Sequence, residues 1–434
     1  MNTTAFKPQS GPGVSGSRTA IASLLFNPFD RRVNANPYPH YERLRTLEPV
    51  HWSKLGVWFI GRYDDVRSLL KDRRFHVRDI PALLSTRDKL VETRQISPAQ
   101  PRNLRHLIAA AEGWLAFQEG TNHKRLRGVY AGALSRSYLE LLRPVIRDAT
   151  RTLLQDKWSY GEMDVMKDLA RVLPFRIIAH MLGLPVEMFP LIQSWATLLT
   201  RFVVSFTSLE DLASLDRASG EFIAYLRDLI AERQRAPNTD LVSTLCIERE
   251  KQNQVLTEQE LISVCIFIIV AGLEAVEHFL GNSTLALITH PEQYKLLQEN
   301  PDILPSAVDE LLRFDAPLQL VMRKALEDVE VGGKGIRAGD YVYLALGSAN
   351  RDPERFDEPD ELILERQQNH HVAFGNGHHL CVGAQFARIE SQEVLRVLAE
   401  MMPNLRLATD RLDWGHSLLA RGLVSLPVKF SARG

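Results

Sequence analysis

The chain is poor in cysteine. Cys246, Cys265 and Cys381 stand far apart among 434 residues, with no Cys-x-x-Cys pair. That spacing excludes a disulfide framework and a structural zinc knuckle, and it fits a reducing, cytoplasmic setting. Charge of one sign is also missing: 52 Lys and Arg balance 53 Asp and Glu, leaving a formal net charge of −1. No global field then draws the protein to nucleic acid or anionic membrane, and any charged partner is read by a local patch. A long apolar run is absent as well. The most apolar stretch, Val264 to Leu273, falls short of the roughly 20 residues a bilayer span needs, so no membrane anchor is expected. Residues Met1 to Ile21 are rich in Gly, Ser, Thr and Pro and lack the apolar core of a signal peptide. They predict a flexible tail over 1–21, followed by one domain over 22–434.

What is present is ordinary globular material, 45% hydrophobic and 24% charged. Helical periodicity dominates. Phe222, Leu226, Leu229 and Ile230 fall on one helix face, and Pro237-Asn238 stops that segment. A second helix is predicted from near Asp164 to Met181, with Gly183 and Pro185 as its stop. A third follows Cys381, carries Val394, Leu398 and Met401 on one stripe, and ends at Pro403. Strand signals are fewer. Val57 to Ile60 can pair with Val50 to Trp52. Val329 to Val331 and Tyr341 to Leu344, separated by Gly332, Gly333, Gly335 and Gly339, suggest turns within one small sheet. The fold class is mainly α with a small β part.

The most informative stretch is Phe374-Gly375-Asn376-Gly377-His378-His379-Leu380-Cys381-Val382-Gly383. Its glycines permit unusual dihedrals and close approach to a flat partner. Cys381 is expected to open the following helix, whose N-terminus favours a thiolate where a metal would need one. Two rival readings are weaker. Gly375-x-Gly377 is half a dinucleotide fingerprint without the preceding strand. His370, His371, His378 and His379 near one thiol suggest zinc, but without the usual ligand spacing. A lone cysteine is most often inert core.

The segment resembles the haem-binding signature of the cytochromes P-450, F-G-x-G-x-H-x-C-x-G, at every fixed position. The resemblance covers nearly all of the chain after the tail. It implies a single triangular-prism-like domain holding haem b, with Cys381 as the axial thiolate, a ligation that favours O–O cleavage. Phe374, Gly375 and Gly383 would shape the loop, with Phe374 shielding the sulfur and His379 reaching a propionate.

Three further segments agree with that family. Glu310-Leu311-Leu312-Arg313 is similar to its ExxR helix, in which residues three apart share a face, and Arg366 matches the later arginine of the lock. The segment Ala349 to Phe356 resembles the meander that accompanies it. His123 and Arg127, four apart, together with Arg323, match the groups that hold the haem propionates. Lys124 and Arg125 read as a solvated face that could help dock an acidic electron donor. Glu119-Gly120-Thr121-Asn122 departs from the usual lead-in to this helix and blurs its start. Ala271-Gly272-Leu273-Glu274-Ala275-Val276 is similar to the oxygen-binding turn, where Ala271 and Gly272 leave room for dioxygen and accompany a local break in helix hydrogen bonding.

Ala275 stands where most members of the family carry a threonine that helps deliver protons. Glu274 would remain the proton source, with a substrate hydroxyl or an ordered water in place of the missing group. The alternative is a Glu274 that only pairs with a base. Some members acting on hydroxylated natural products share this alanine.

The resemblance places the substrate pocket at the His76 to Glu112 loop, Phe202 to Phe206, the central helix at Val270, Leu318 to Val321, and Leu418-Leu419. These mainly apolar positions imply a lipophilic ligand such as a polyketide or another secondary metabolite. No flavin, nicotinamide or iron–sulfur motif is present. Electrons then come from a separate ferredoxin and NAD(P)H-dependent ferredoxin reductase. The competing class is a haem-thiolate protein that is peroxide-driven or only binds ligands.

Overall fold

The structure, a computed structural model, describes residues 31–53, 56–77, 79–81, 104–204, 209–251, 256–415, 417 and 419–431. The expected tail over 1–21 lies outside these residues.

Helices form most of the molecule, and the longest is Glu258–Thr289 with 32 residues. Its start is written in the sequence as a capping box. The Thr257 side chain accepts from the Glu260 backbone N–H at 3.0 Å, and the Glu260 carboxylate accepts from the Thr257 N–H at 2.9 Å. Contrary to the expectation from the sequence, this helix is long and apolar enough by composition to cross a bilayer. Here it is the core helix. Neighbouring helices bury its side chains from Glu260 to Ile266, from Ile268 to Val270 and again from Phe279 to Thr284.

Helix Arg136–Trp158 packs along helix Ala384–Met401, and Arg143 and Arg147 of the first reach the buried Glu393 carboxylate of the second, each at 2.9 Å. Helix Leu209–Arg235 buries Phe222, Leu226, Leu229 and Ile230 and ends before Pro237, as the periodicity predicts.

The predicted helix from Asp164 to Met181 is not continuous. Glu162–Asp164 is a strand paired with Pro427–Lys429, Met166–Ala170 is π-helical, and only Leu173–Leu182 is α-helical. Asp164 explains the break. Its carboxylate accepts from the Met166 and Lys167 N–H groups at 2.9 and 3.2 Å and from the distant Leu426 N–H at 3.1 Å. Such side-chain bonds compete with a helix ladder. The predicted stop holds: Gly183 is left-handed at φ 64°, and the Leu184 N–H reaches back to the Ala179 carbonyl.

The main sheet has five strands in the spatial order Val50–Trp52, Trp58–Ile60, Tyr341–Ala345, Leu320–Ala325, Phe75–His76. The first two pair antiparallel as predicted, and Trp58–Ile60 runs parallel to Tyr341–Ala345. Val329–Val331 does not share that sheet; it forms its own hairpin with Lys334–Ile336. The glycine-rich turns separate the two structures. The sheet and the helices bury separate apolar clusters, and the residues between them carry the site.

Two outcomes are expected. Gly183→Ala forces a left-handed alanine, costing about 1–2 kcal/mol, and sets a methyl group against the Asp240 carboxylate that holds Arg233; urea unfolding should show at least that loss. Glu390 is buried, both its carboxylate oxygens lack a hydrogen-bond partner among the described residues, and burial pushes its pKa up to about 8. A carboxyl raised in the folded state keeps a proton that the unfolded chain releases, so stability falls as pH climbs from the usual carboxylate range towards 8. Glu390→Gln should therefore stabilise more at pH 8 than at pH 5 in paired thermal melts.

Candidate active site

The loop before helix Ala384–Met401 is shaped by two left-handed glycines, Gly375 and Gly377, both at φ 74°. At Gly377 the need is also steric, since an added methyl group would lie 2.8 Å from the Leu70 carbonyl oxygen. Asn376 accepts the Gly377 N–H at 2.7 Å, and the Cys381 N–H returns to the Phe374 carbonyl at 3.0 Å, closing the loop. Arg388 lies over the Phe374 ring at 4.6 Å and is anchored by Asp309 at 2.7 Å.

Cys381 does not open the helix. Gly383 is its N-cap and Ala384 its first residue, so the sulfur lies just ahead of the axis. Cys381 is exposed by surface area, yet protein surrounds the sulfur closely enough for burial to push the thiol pKa up; the Gly383 N–H, Arg127 and Arg388 offset this only in part. The helix terminus therefore does not make a thiolate unaided. A coordinated metal would, because ligation deprotonates a thiol outright.

On the same side, helix Gly120–Ala133 presents His123 and Arg127 one turn apart. Arg127 donates to the Leu380 carbonyl at 2.8 Å, next to Cys381. His123 is buried, and its Nε2 has no partner among the described residues. Burial, then His379 and Arg127, holds its pKa down at about 4, so the ring is neutral. Arg323, on strand Leu320–Ala325, is a buried cation. It donates to the adjacent Met322 carbonyl at 2.9 Å, and burial lowers its pKa to about 10, still protonated at neutral pH.

Glu119 organises this corner. It receives the Val77 N–H at 2.8 Å and the His379 Nε2 at 3.1 Å, with His378 Nε2 at 3.4 Å. Burial alone would raise its pKa, but these bonds hold it at about 2. The helix start that the sequence left blurred is thus fixed by an acid four residues before His123. The set of one cysteine and four histidines does not assemble as a zinc site among the described residues: His378 and His379 converge on Glu119, a trio close enough to share a cation, while His371 bonds to Asp309. Arg125 is not on a solvated face either. It pairs with Glu260 of the central helix's capping box, whereas Lys124 is exposed as expected.

Within the central helix the burial pattern changes abruptly. Ala271 is exposed and Gly272 to Ala275 are half-buried, after the buried Ile268, Ile269 and Val270 and before the buried Val276. The expected break in helix hydrogen bonding does not occur, since the α-helix runs through this stretch. Gly272 also serves packing: a methyl group there would lie 2.5 Å from Ile178 Cδ1, so the glycine lets helix Leu173–Leu182 close on the central helix. Ala271 is the residue that keeps the accessible face low. Glu274 Oε1 stands 3.8 Å from His278 Nε2, one turn on, and Glu277 is taken by Arg171 at 2.9 Å.

Glu310 and Arg313, both fully buried on helix Leu304–Phe314, form two bonds at 2.7 and 2.8 Å. Arg366 joins at 3.1 Å, and Asn369 and the Ile363 N–H each donate at 3.0 Å. Arg313 continues to the Asn350, Pro359 and Glu361 carbonyls. Asn369 and Ile363 were not anticipated, because neither belongs to a recognisable short pattern.

Of the pocket positions, Val270 is 3% exposed and packs in the core, its carbonyl facing Thr200 Oγ1 at 3.5 Å. It turns away from the accessible stripe. Leu318 bridges to Ala420, and the Leu419 carbonyl accepts from the Gln319 N–H at 2.8 Å, so these positions meet at one end of the main sheet with the half-buried Val321. The Phe202 side chain, residues 205–206, residues 82–103 of the loop and Leu418 lie outside the described residues.

With this geometry in place, comparison with known proteins defines the class. The cytochrome P450 family pattern matches residues 45–430, and the chain belongs to that family of haem-dependent monooxygenases. It is 36% identical over 400 residues to the biotin biosynthesis cytochrome P450 of Bacillus subtilis, covering 91% of this chain and 96% of that one. It is 32% identical to the polyketide biosynthesis cytochrome P450 PksS of the same organism, covering 95% and 100%. The solved structure of P450BioI in complex with an acyl carrier protein ligated to hexadec-9-enoic acid superposes with a TM-score of 0.82. That match has 34% identity and covers 92% of this chain and 99% of the other. The family carries haem b on an axial cysteine thiolate, and the residues here fit it. A loop cysteine, a buried imidazole whose Nε2 has no partner among the described residues, and a buried guanidinium supply a ligand and two polar groups of the kind it needs.

Glu310→Gln would remove the charge shared by Arg313 and Arg366 while keeping the shape. Breaking a buried pair costs about 3–5 kcal/mol, and chemical denaturation of the purified protein should show a loss of that order.

Proposed function

We propose that this monooxygenase inserts one atom of dioxygen, by hydroxylation or epoxidation, into a lipophilic secondary metabolite of polyketide type. Its electrons come from a ferredoxin and an NAD(P)H-dependent ferredoxin reductase in the cytoplasm. The observation that carries this reading is the cysteine loop, where Arg127 holds the Leu380 carbonyl next to Cys381 and the His123 ring packs on His379, together with the exposed Ala271 that interrupts the buried run of the central helix. The similarity to PksS supports the substrate class.

In this reading Cys381 ligates the iron, while Phe374, Gly375 and Gly383 form the loop around it. His123, Arg127, Arg323 and His379 would hold the two propionates: Arg127 and Arg323 donate to main-chain carbonyls, and the His123 Nε2 has no partner among the described residues. Bound haem supplies the activation of dioxygen. The chain binds and orients the substrate against Leu318, Val321 and Leu419, limits water at Ala271, and holds a proton at the Glu274 carboxyl. With no hydroxyl at Ala275, a substrate hydroxyl or an ordered water completes proton delivery.

A second reading concerns how the substrate arrives. The likeness to a P450 solved with an acyl carrier protein supports, as the alternative, an acyl chain presented on such a carrier.

The test uses the haem-loaded enzyme with surrogate ferredoxin and reductase. Free polyketides and carrier-bound acyl chains are screened for a spin-state change, then for an oxygenated product. Product from a free lipophilic compound is expected, and product only from carrier-bound chains supports the second reading. Turnover on neither, or hydrogen peroxide as the only effective oxidant, would overturn the reading. Cys381→Ala should abolish the long-wavelength ferrous–CO band.

A further inference from the structure

We propose that His278 is the positioning residue for Glu274, holding the proton-bearing carboxyl in place where the chain has no hydroxyl at position 275. The inference rests on the monooxygenase reading and deepens it.

Glu274 and His278 are four apart on an unbroken α-helix, so their side chains stack on one face. Glu274 Oε1 and His278 Nε2 are 3.8 Å apart, with only 26% and 14% of the two side chains exposed. A small rotation brings them into hydrogen-bond contact, and catalytic bonds of this kind often tighten only when ligands bind. The other acid on this face, Glu277, is committed to Arg171 at 2.9 Å.

The far side of the ring fixes its chemistry. His278 Nδ1 is buried and has no hydrogen-bond partner among the described residues. A buried N–H without an acceptor is costlier and rarer than a buried lone pair. The ring therefore carries its proton on Nε2, the nitrogen that faces Glu274. Burial, then Arg171, holds its pKa down at about 4, so the imidazole is neutral and acts as a hydrogen-bond donor and not as a cation. A neutral donor orients the Glu274 carboxyl without the strong charge that would hold it ionised and unable to give up a proton.

The fold reserves the space. Gly422, in the late turn closed by the Gly415 N–H to Gly422 carbonyl bond at 2.9 Å, lies against the His278 ring, and any side chain there would overlap it. A glycine in that turn and a histidine on the central helix thus form one fitted contact, which also limits how far the ring can swing away from Glu274.

Nitrogen-15 histidine spectra of the full-length enzyme test the tautomer directly. Wild type should show His278 neutral with Nε2 protonated, and Glu274→Gln should shift the Nε2 signal. An Nδ1-protonated ring, or signals unmoved by that change, would overturn the proposal whether or not a substrate is known. In turnover, His278→Leu should lower product formed per NAD(P)H by about tenfold, a modest share of what acid–base groups contribute. His278→Gln, which keeps a donor, should recover most of it, and Ala275→Thr should lessen the effect of His278→Leu by supplying a hydroxyl. Unchanged coupling in His278→Leu counts against the proposal. An intact ferrous–CO band and spin-state response in each variant separate this outcome from loss of the haem site. If wild type makes no oxygenated product, the monooxygenase reading fails, and the nitrogen spectra alone decide the role of His278.

Discussion

Everything around the cysteine loop depends on one buried carboxylate. Glu310 has no exposed surface, and it receives two arginines, an asparagine and a backbone N–H. A buried charge survives only when it is this fully paired. Three of its partners, Ile363, Arg366 and Asn369, belong to the segment that runs directly into Phe374 and the loop. Fixing them fixes the path of the chain to Cys381. Arg313 meanwhile ties Asn350, whose side chain receives the Val372 N–H at 2.7 Å, to the same helix. The loop needs such rigidity because its left-handed glycines carry no side chains to anchor it.

Electrostatics divides the site into satisfied and waiting groups. Glu260 and Arg125 complete each other, and Glu119 collects two histidines and a backbone amide. Arg323 and His123 are buried beside them with polar capacity to spare. Groups left in this condition are costly unless a ligand completes them. The thiol fits the same logic: the protein raises its pKa, and metal ligation supplies the deprotonation.

The central helix shows how one element serves packing and chemistry together. Gly272 allows a neighbouring helix to close, Ala271 keeps a face accessible, and the next turns bring an acid and a histidine onto one side. Its length alone would suit a membrane, but protein takes the place of lipid around most of it.

The sequence alone carried the family and the lock of Glu310, Arg313 and Arg366, because both show as short patterns whose residues must keep a fixed spacing. It also determined the helix stop at Gly183 and the pairing of Val50–Trp52 with Trp58–Ile60, which depend on neighbours in the chain. Tertiary structure decided the rest. The break after Asp164 depends on Leu426, the pairing of Arg125 on Glu260, the role of Gly272 on Ile178, and the seat of His278 on Gly422. Each joins residues distant in sequence, and no local periodicity or motif records which distant partner will complete a hydrogen bond or fill a gap.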